Sequence, residues 1–192
     1  MEHDMEGELR RIEPVLTEIL RRPSRWSGRV ELTSDPTVRG AKPYRCDIVI
    51  NEDLAGQDAR WRTLIHELLH SYSAGYNSPD YNDLPGWEEG VVEQLQRLLR
   101  RDVLSRLEVA LDEAVFEPND RRHDYNRFIA ALEALRLSLK EDAGSFYRDL
   151  LATPMRDRQA FVLGSRTRFT GQAYADFIQL FSTSNAILKT KR

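Results

Sequence analysis

Thr63-Leu64-Ile65-His66-Glu67-Leu68-Leu69-His70 is the stretch on which the reading of this chain turns. Around it Trp61, Leu64, Ile65, Leu68, Leu69 and Tyr72 fall at i, i+3, i+4, i+7, i+8 and i+11, the apolar stripe of an amphipathic helix that begins near Asp58. His66 and His70 lie one turn apart, about 6 Å of rise. Both imidazoles can therefore reach one metal ion from the same side. At about 100° per residue they sit opposite the centre of the apolar stripe, so they are expected to face a cleft or solvent. Glu67 lies between them in sequence, where a carboxylate can take a proton from a metal-activated water.

A catalytic zinc usually takes three protein ligands and keeps a fourth position for water. The extended pattern His-Glu-x-x-His-x-x-Gly-x-x-His needs Gly at 73 and His at 76, and here Ser73 and Tyr76 occupy those positions. The other source of a third ligand is a glutamate on the next helix. After His70 come 18 residues and then Glu89, within Gly86-Trp87-Glu88-Glu89-Gly90-Val91-Val92-Glu93. Residues 75–86 read as a loop rich in Asn, Asp, Pro and Tyr. The helix that follows, Trp87 to Arg100, turns Trp87, Val91, Leu95, Leu98 and Leu99 inward. Glu89 lies opposite Val91 and Leu95, and two antiparallel helices joined by a loop can bring it against His66 and His70.

His-Glu-x-x-His, 18 residues, then a Glu preceded by an aromatic and followed by Gly, resembles the gluzincin metallopeptidases. The spacing is that of the aminopeptidase N branch, where Trp-x-x-Glu-Gly supplies the third ligand. In this chain only Glu88 separates Trp87 from Glu89. The resemblance covers about residues 44–100. It implies His66, His70 and Glu89 as Zn(2+) ligands and Glu67 as general base. It also implies strand Asp47–Asn51 as the edge that aligns a peptide substrate by main-chain pairing. Glu93 is then either the carboxylate that orients a ligand histidine or a solvated helix-face glutamate. The Gly-x-Met-Glu-Asn motif that reads a free amino terminus is absent, and the length is closer to the compact minigluzincins. An Ile-x-Ile-Asn strand before His-Glu-Leu-x-His is also similar to the ImmA/IrrE regulatory proteases, although their Glu-x-x-Ala-x-x-Phe-Ala segment is missing. Gluzincins use a downstream Tyr or His to stabilise the oxyanion. The candidates are Tyr76, Tyr81, His123, Tyr125, Tyr147 and Tyr174, and His123-Asp124-Tyr125 could equally be a capped helix start.

The remaining chain sets the fold class. Residues 4–22 carry a helical pattern (Leu9, Ile12, Val15, Leu16, Ile19, Leu20) with Pro14 inside it as an expected kink. Arg29–Thr33 and Tyr44–Asn51 alternate as strands, the second with Cys46, Ile48 and Ile50 on one face. Cys46 there reads as a small buried hydrophobe. Beyond Arg100 the pattern is helix after helix, at about 102–116, 120–140, 145–152, 154–163 and 172–188. Asp102, Asp120, Ser145 and Thr153-Pro154 stand at the expected starts. Arg100-Arg101 and Arg121-Arg122 read as surface charges, and Lys189 to Arg192 as a frayed basic tail.

With 192 residues, net charge −3 and 41% hydrophobic residues, the chain is neither disordered nor the strongly basic protein that binds nucleic acid. Residues 1–96 carry 11 basic and 18 acidic residues, net −7. Residues 97–192 carry 17 and 13, net +4. The metal-ligand set falls in the acidic half. No apolar run is long enough for a membrane span. One cysteine and an acidic Met1–Leu9 without an apolar core point to a reducing, cytoplasmic setting.

The expectation is a single α+β, zincin-like domain over 1–192. Residues of about 1–100 would form a small sheet over the His-Glu-x-x-His helix with the glutamate helix beside it, and about 101–192 a helical subdomain. The expected activity is zinc-dependent hydrolysis of a peptide or protein substrate. The alternatives are a zinc-stabilised interaction module without catalysis and a regulatory protease acting on one partner.

Overall fold

The structure is a computed structural model and describes residues 4–38, 40–41 and 47–190. Tyr44 to Cys46, the first part of the expected second strand, lie outside the described residues, as do Lys191 and Arg192. The described chain is mixed α+β, with nine α-helices and one three-stranded sheet. It forms two compact units, residues 1–72 with 96–121, and residues 73–95 with 122–192.

The first unit begins with α1 (Met5–Leu20), started by Asp4, whose side chain accepts from the Gly7 N–H at 2.8 Å. The helix runs through Pro14 and buries Leu9, Ile12 and Leu16. Strands β1 (Val30–Thr33), β2 (Gly40–Ala41) and β3 (Ile48–Asn51) follow. Their order is β1-β3-β2, with β1 parallel and β2 antiparallel to β3. The expected edge strand Asp47–Asn51 is therefore the centre of the sheet. Val30–Thr33 pairs with it on one side and Gly40–Ala41 on the other, and β2 takes an edge. Ile48 and Ile50 are fully buried on one face. The central helix is α2 (Arg60–His70), packed on α1 and the sheet.

The second unit is helical. Its elements are α3 (Ser78–Asp83), the first half of α4 (Pro85–Arg106), α6 (Asn126–Leu139), α7 (Ala143–Ala152), α8 (Arg158–Gly164) and α9 (Gly171–Leu188). The second half of α4 and α5 (Glu117–Arg121) belong to the first unit. Helices α6 and α9 pack together, and Phe128, Leu132 and Leu135 of α6 and Phe177 and Leu188 of α9 are buried. Helix α4 continues past Arg100 to Arg106, so no helix starts at Asp102. That carboxylate accepts from the Arg106 guanidinium at 3.1 Å within α4. No helix among the described residues is long and apolar enough to cross a membrane.

Candidate metal centre

Helix α2 has no side-chain cap at its start and is held instead by ion pairs. Arg60 Nε and Nη2 clasp both oxygens of Glu8 on α1 at 2.6–3.1 Å, a bidentate geometry that fixes orientation as well as contact. Arg62 donates to Asp120 at 3.1 Å. Asp120 also accepts from Arg100, which pairs with Glu113 at 2.8 Å. Arg100 is thus a buried anchor of α4 rather than a surface charge, and its guanidinium lies 4.1 Å over the Phe116 ring.

All eleven residues of α2 are buried, which removes the expectation that its histidines could face solvent. His66 and His70 turn their Nε2 atoms towards each other at 3.2 Å, with rings crossed at 78°. Zinc–nitrogen bonds of about 2.0–2.1 Å in a tetrahedron put two ligand nitrogens about 3.3 Å apart. The pair therefore already has the spacing of one edge of such a site. Glu67 is buried beside them. Its neighbour is the backbone of β2, where a Cβ on Gly40 would stand 2.8 Å from Glu67 Cγ and Oε1 and from Thr63 Cγ2. Only glycine leaves that space to the carboxylate. The sequence offered no signal for this, since Gly40 sits in a turn-rich stretch that a reader assigns to turn geometry.

Helix α4 carries three buried carboxylates, Glu88, Glu89 and Glu93. Glu88, directly before the predicted ligand, is committed elsewhere. Its Oε2 accepts from Arg158 Nη1 and from Ser73 Oγ, both at 2.7 Å. Arg158 is wholly buried and donates further to Ser73 Oγ at 2.6 Å and to the Trp87 carbonyl at 2.7 Å. Glu89 Oε1 accepts the hydroxyl of Tyr81, which lies on α3 within the segment expected to be a loop. Asn77 caps that helix, accepting from the Asp80 N–H at 2.9 Å, and Pro79 occupies its first turn. Glu93 is fully buried one turn after Glu89, so it is not a solvated helix-face residue. The glycine of the Glu-Gly pair has a packing reason. A Cβ on Gly90 would stand 2.8 Å from Leu132 Cδ1 and 3.0 Å from Phe128 Cβ, so this face of α4 lies directly on α6.

His66, His70 and Glu89 each offer one ligand atom of a kind that can hold a metal ion, two imidazole nitrogens and a carboxylate oxygen. Two imidazoles and a carboxylate are the donor set of borderline divalent ions such as zinc and suit a catalytic site with one position left for water.

The other sequence candidates are dispersed. Tyr147 is buried in the second unit, and burial pushes its phenol well above the usual range. Tyr174 is exposed on α9. His123 Nδ1 accepts from the Tyr125 N–H at 3.3 Å ahead of α6, a helix whose start carries no side-chain cap. Comparison with known proteins finds no matching family model, no matching curated protein and no matching solved structure.

Proposed function

We propose that this protein is a zinc-dependent peptidase of the gluzincin kind, built on a zincin-like domain. The observation that carries the reading is the His66–His70 pair, Nε2 to Nε2 at 3.2 Å, with Glu67 on the same turn of helix. When bound, the ion supplies the Lewis acidity that polarises the scissile carbonyl and brings water into nucleophilic range near neutral pH. His66 and His70 bind it through imidazole nitrogen and Glu89 through carboxylate oxygen. Glu67 accepts the proton of the attacking water on its carboxylate and delivers it to the amine nitrogen as the C–N bond breaks. Burial around Glu67 keeps bulk water from competing for that proton. The main chain of an extended peptide is aligned along β2, at an edge of the sheet and against Glu67. This takes the place of the role first expected of Asp47–Asn51.

His66→Ala is expected to lose both bound zinc and cleavage. Glu67→Gln is expected to keep zinc, measured by atomic emission, and to lose about 10²- to 10⁴-fold in turnover. A wild-type protein that holds zinc but cleaves no member of a diverse peptide library overturns the peptidase reading. The burial of all four residues favours a second reading, a closed zinc site that stabilises an interaction module. Under that reading Glu67→Gln changes neither zinc content nor any measured function. Cleavage of a single protein from a cell lysate would instead mark a regulatory protease of the ImmA/IrrE kind.

A further inference from the structure

Resting on the proposal that Glu89 ligates the ion, we infer that Tyr81 is a positioning residue that restricts Glu89 to one-oxygen ligation. The Tyr81 hydroxyl donates to Glu89 Oε1, a hydrogen bond to a buried carboxylate. Such charge-assisted bonds are roughly twice as strong as neutral ones. The helix that carries the phenol is fixed at its start by Asn77, and one further ring packs against the phenol itself. Asn77 caps α3 through the Asp80 N–H, and its amide donates to the Asp80 carboxylate and to the Gly75 carbonyl, both at 2.7 Å. The Tyr76 ring packs at 5.8 Å from the Tyr81 ring.

A carboxylate can bind a cation through one oxygen or through both. With Oε1 engaged by a fixed hydroxyl, swinging both oxygens onto the ion would turn Oε1 away from that donor and weaken a strong hydrogen bond. Glu89 then contributes one donor atom, which leaves the coordination position that substrate hydrolysis needs. Groups that hold a ligand from behind commonly tune metal affinity by 10- to 100-fold. The sequence pattern does not contain this role, because Tyr81 lies in the segment between the two motif helices.

The test compares the wild-type chain with Tyr81→Phe, which keeps the ring and removes only the hydroxyl. Zinc affinity, read by competition with a chromophoric chelator, is expected to fall about 10-fold. In the cobalt(II)-substituted protein the intense visible bands of a four-coordinate site are expected to weaken in Tyr81→Phe as the coordination number rises. A change confined to folding would move neither the band intensity per bound cobalt nor its pattern. X-ray absorption on the zinc-loaded wild type gives a measure that needs no variant, with a single short carboxylate oxygen expected. Equal affinity and equal cobalt spectra for the two proteins, or two carboxylate oxygens on zinc in the wild type, would overturn the inference while leaving the peptidase reading intact. A wild type that takes up no zinc would instead remove the reading on which it rests.

Discussion

At Gly40 a single methyl group would reach the carboxylate of Glu67. If Glu67 is the general base proposed above, Gly40→Ala is expected to displace it and slow cleavage about 10²-fold, the usual penalty for a misplacement of about 1 Å. Zinc content should be unchanged, and a variant with wild-type turnover would show that the carboxylate finds another productive position. Tyr72, two residues past the end of α2, ties that end to α1. Its hydroxyl donates to the Glu13 carbonyl on α1, next to Pro14, and bonds to Thr17 at 2.8 Å. Tyr72→Phe is expected to cost about 1 kcal/mol in urea unfolding at neutral pH. Burial pushes the Tyr72 phenol from 10.0 up to about 12. The folded chain thus keeps a proton that the unfolded chain releases, so this contribution is complete below pH 10 and is lost as pH rises to about 12. Stability in that window should fall less steeply in Tyr72→Phe. Single residues were unevenly legible: His66, Glu67, His70 and Glu89 stand out as candidates by spacing, whereas the contacts of Gly40, Tyr81 and Arg158 are defined only by what folding brings against them.

Elements were read best where one face is strongly marked. The stripe from Trp61 to Tyr72 identified α2 because every apolar position on it meets the core. Helix α3 went unread, since six residues are too few to show a period and the Asn77 cap with Pro79 resembles an ordinary turn. The end of α4 was placed early because Asp102 resembles a cap, although it serves an i,i+4 pair on the exposed side. Strand order could not be read at all: β3 looks like an edge until β1 and β2 are seen to flank it. The start of α4 depends on the Glu88–Arg158 pair, both side chains wholly buried. Arg158→Met strands a buried carboxylate and is expected to cost about 3–5 kcal/mol, measured by denaturant unfolding. Replacing both partners, with Glu88→Leu added, should recover most of that loss, because no uncompensated charge is left behind.

For the molecule as a whole, the balance of a small sheet and many helices followed from period alone, one helical and two alternating runs before residue 52 and helical runs after it. A metal bound to the native chain and not to the unfolded one stabilises by mass action, about 2.7 kcal/mol at free zinc 100 times the dissociation constant. Chelation should accordingly lower the melting temperature of the wild type and leave that of His66→Ala unchanged. Equal shifts in the two proteins would point to zinc acting elsewhere. The first turn of α4 is also braced from α9, where the Asn185 side chain accepts from Trp87 Nε1 at 3.0 Å across 98 residues of chain. At ribosomal rates of about 5–20 residues per second, that brace is synthesised some 5–20 s after the helix it steadies. In a nascent chain the first turn of α4 therefore exists for seconds without that brace, and its final footing becomes a post-α9 event in the life of the protein.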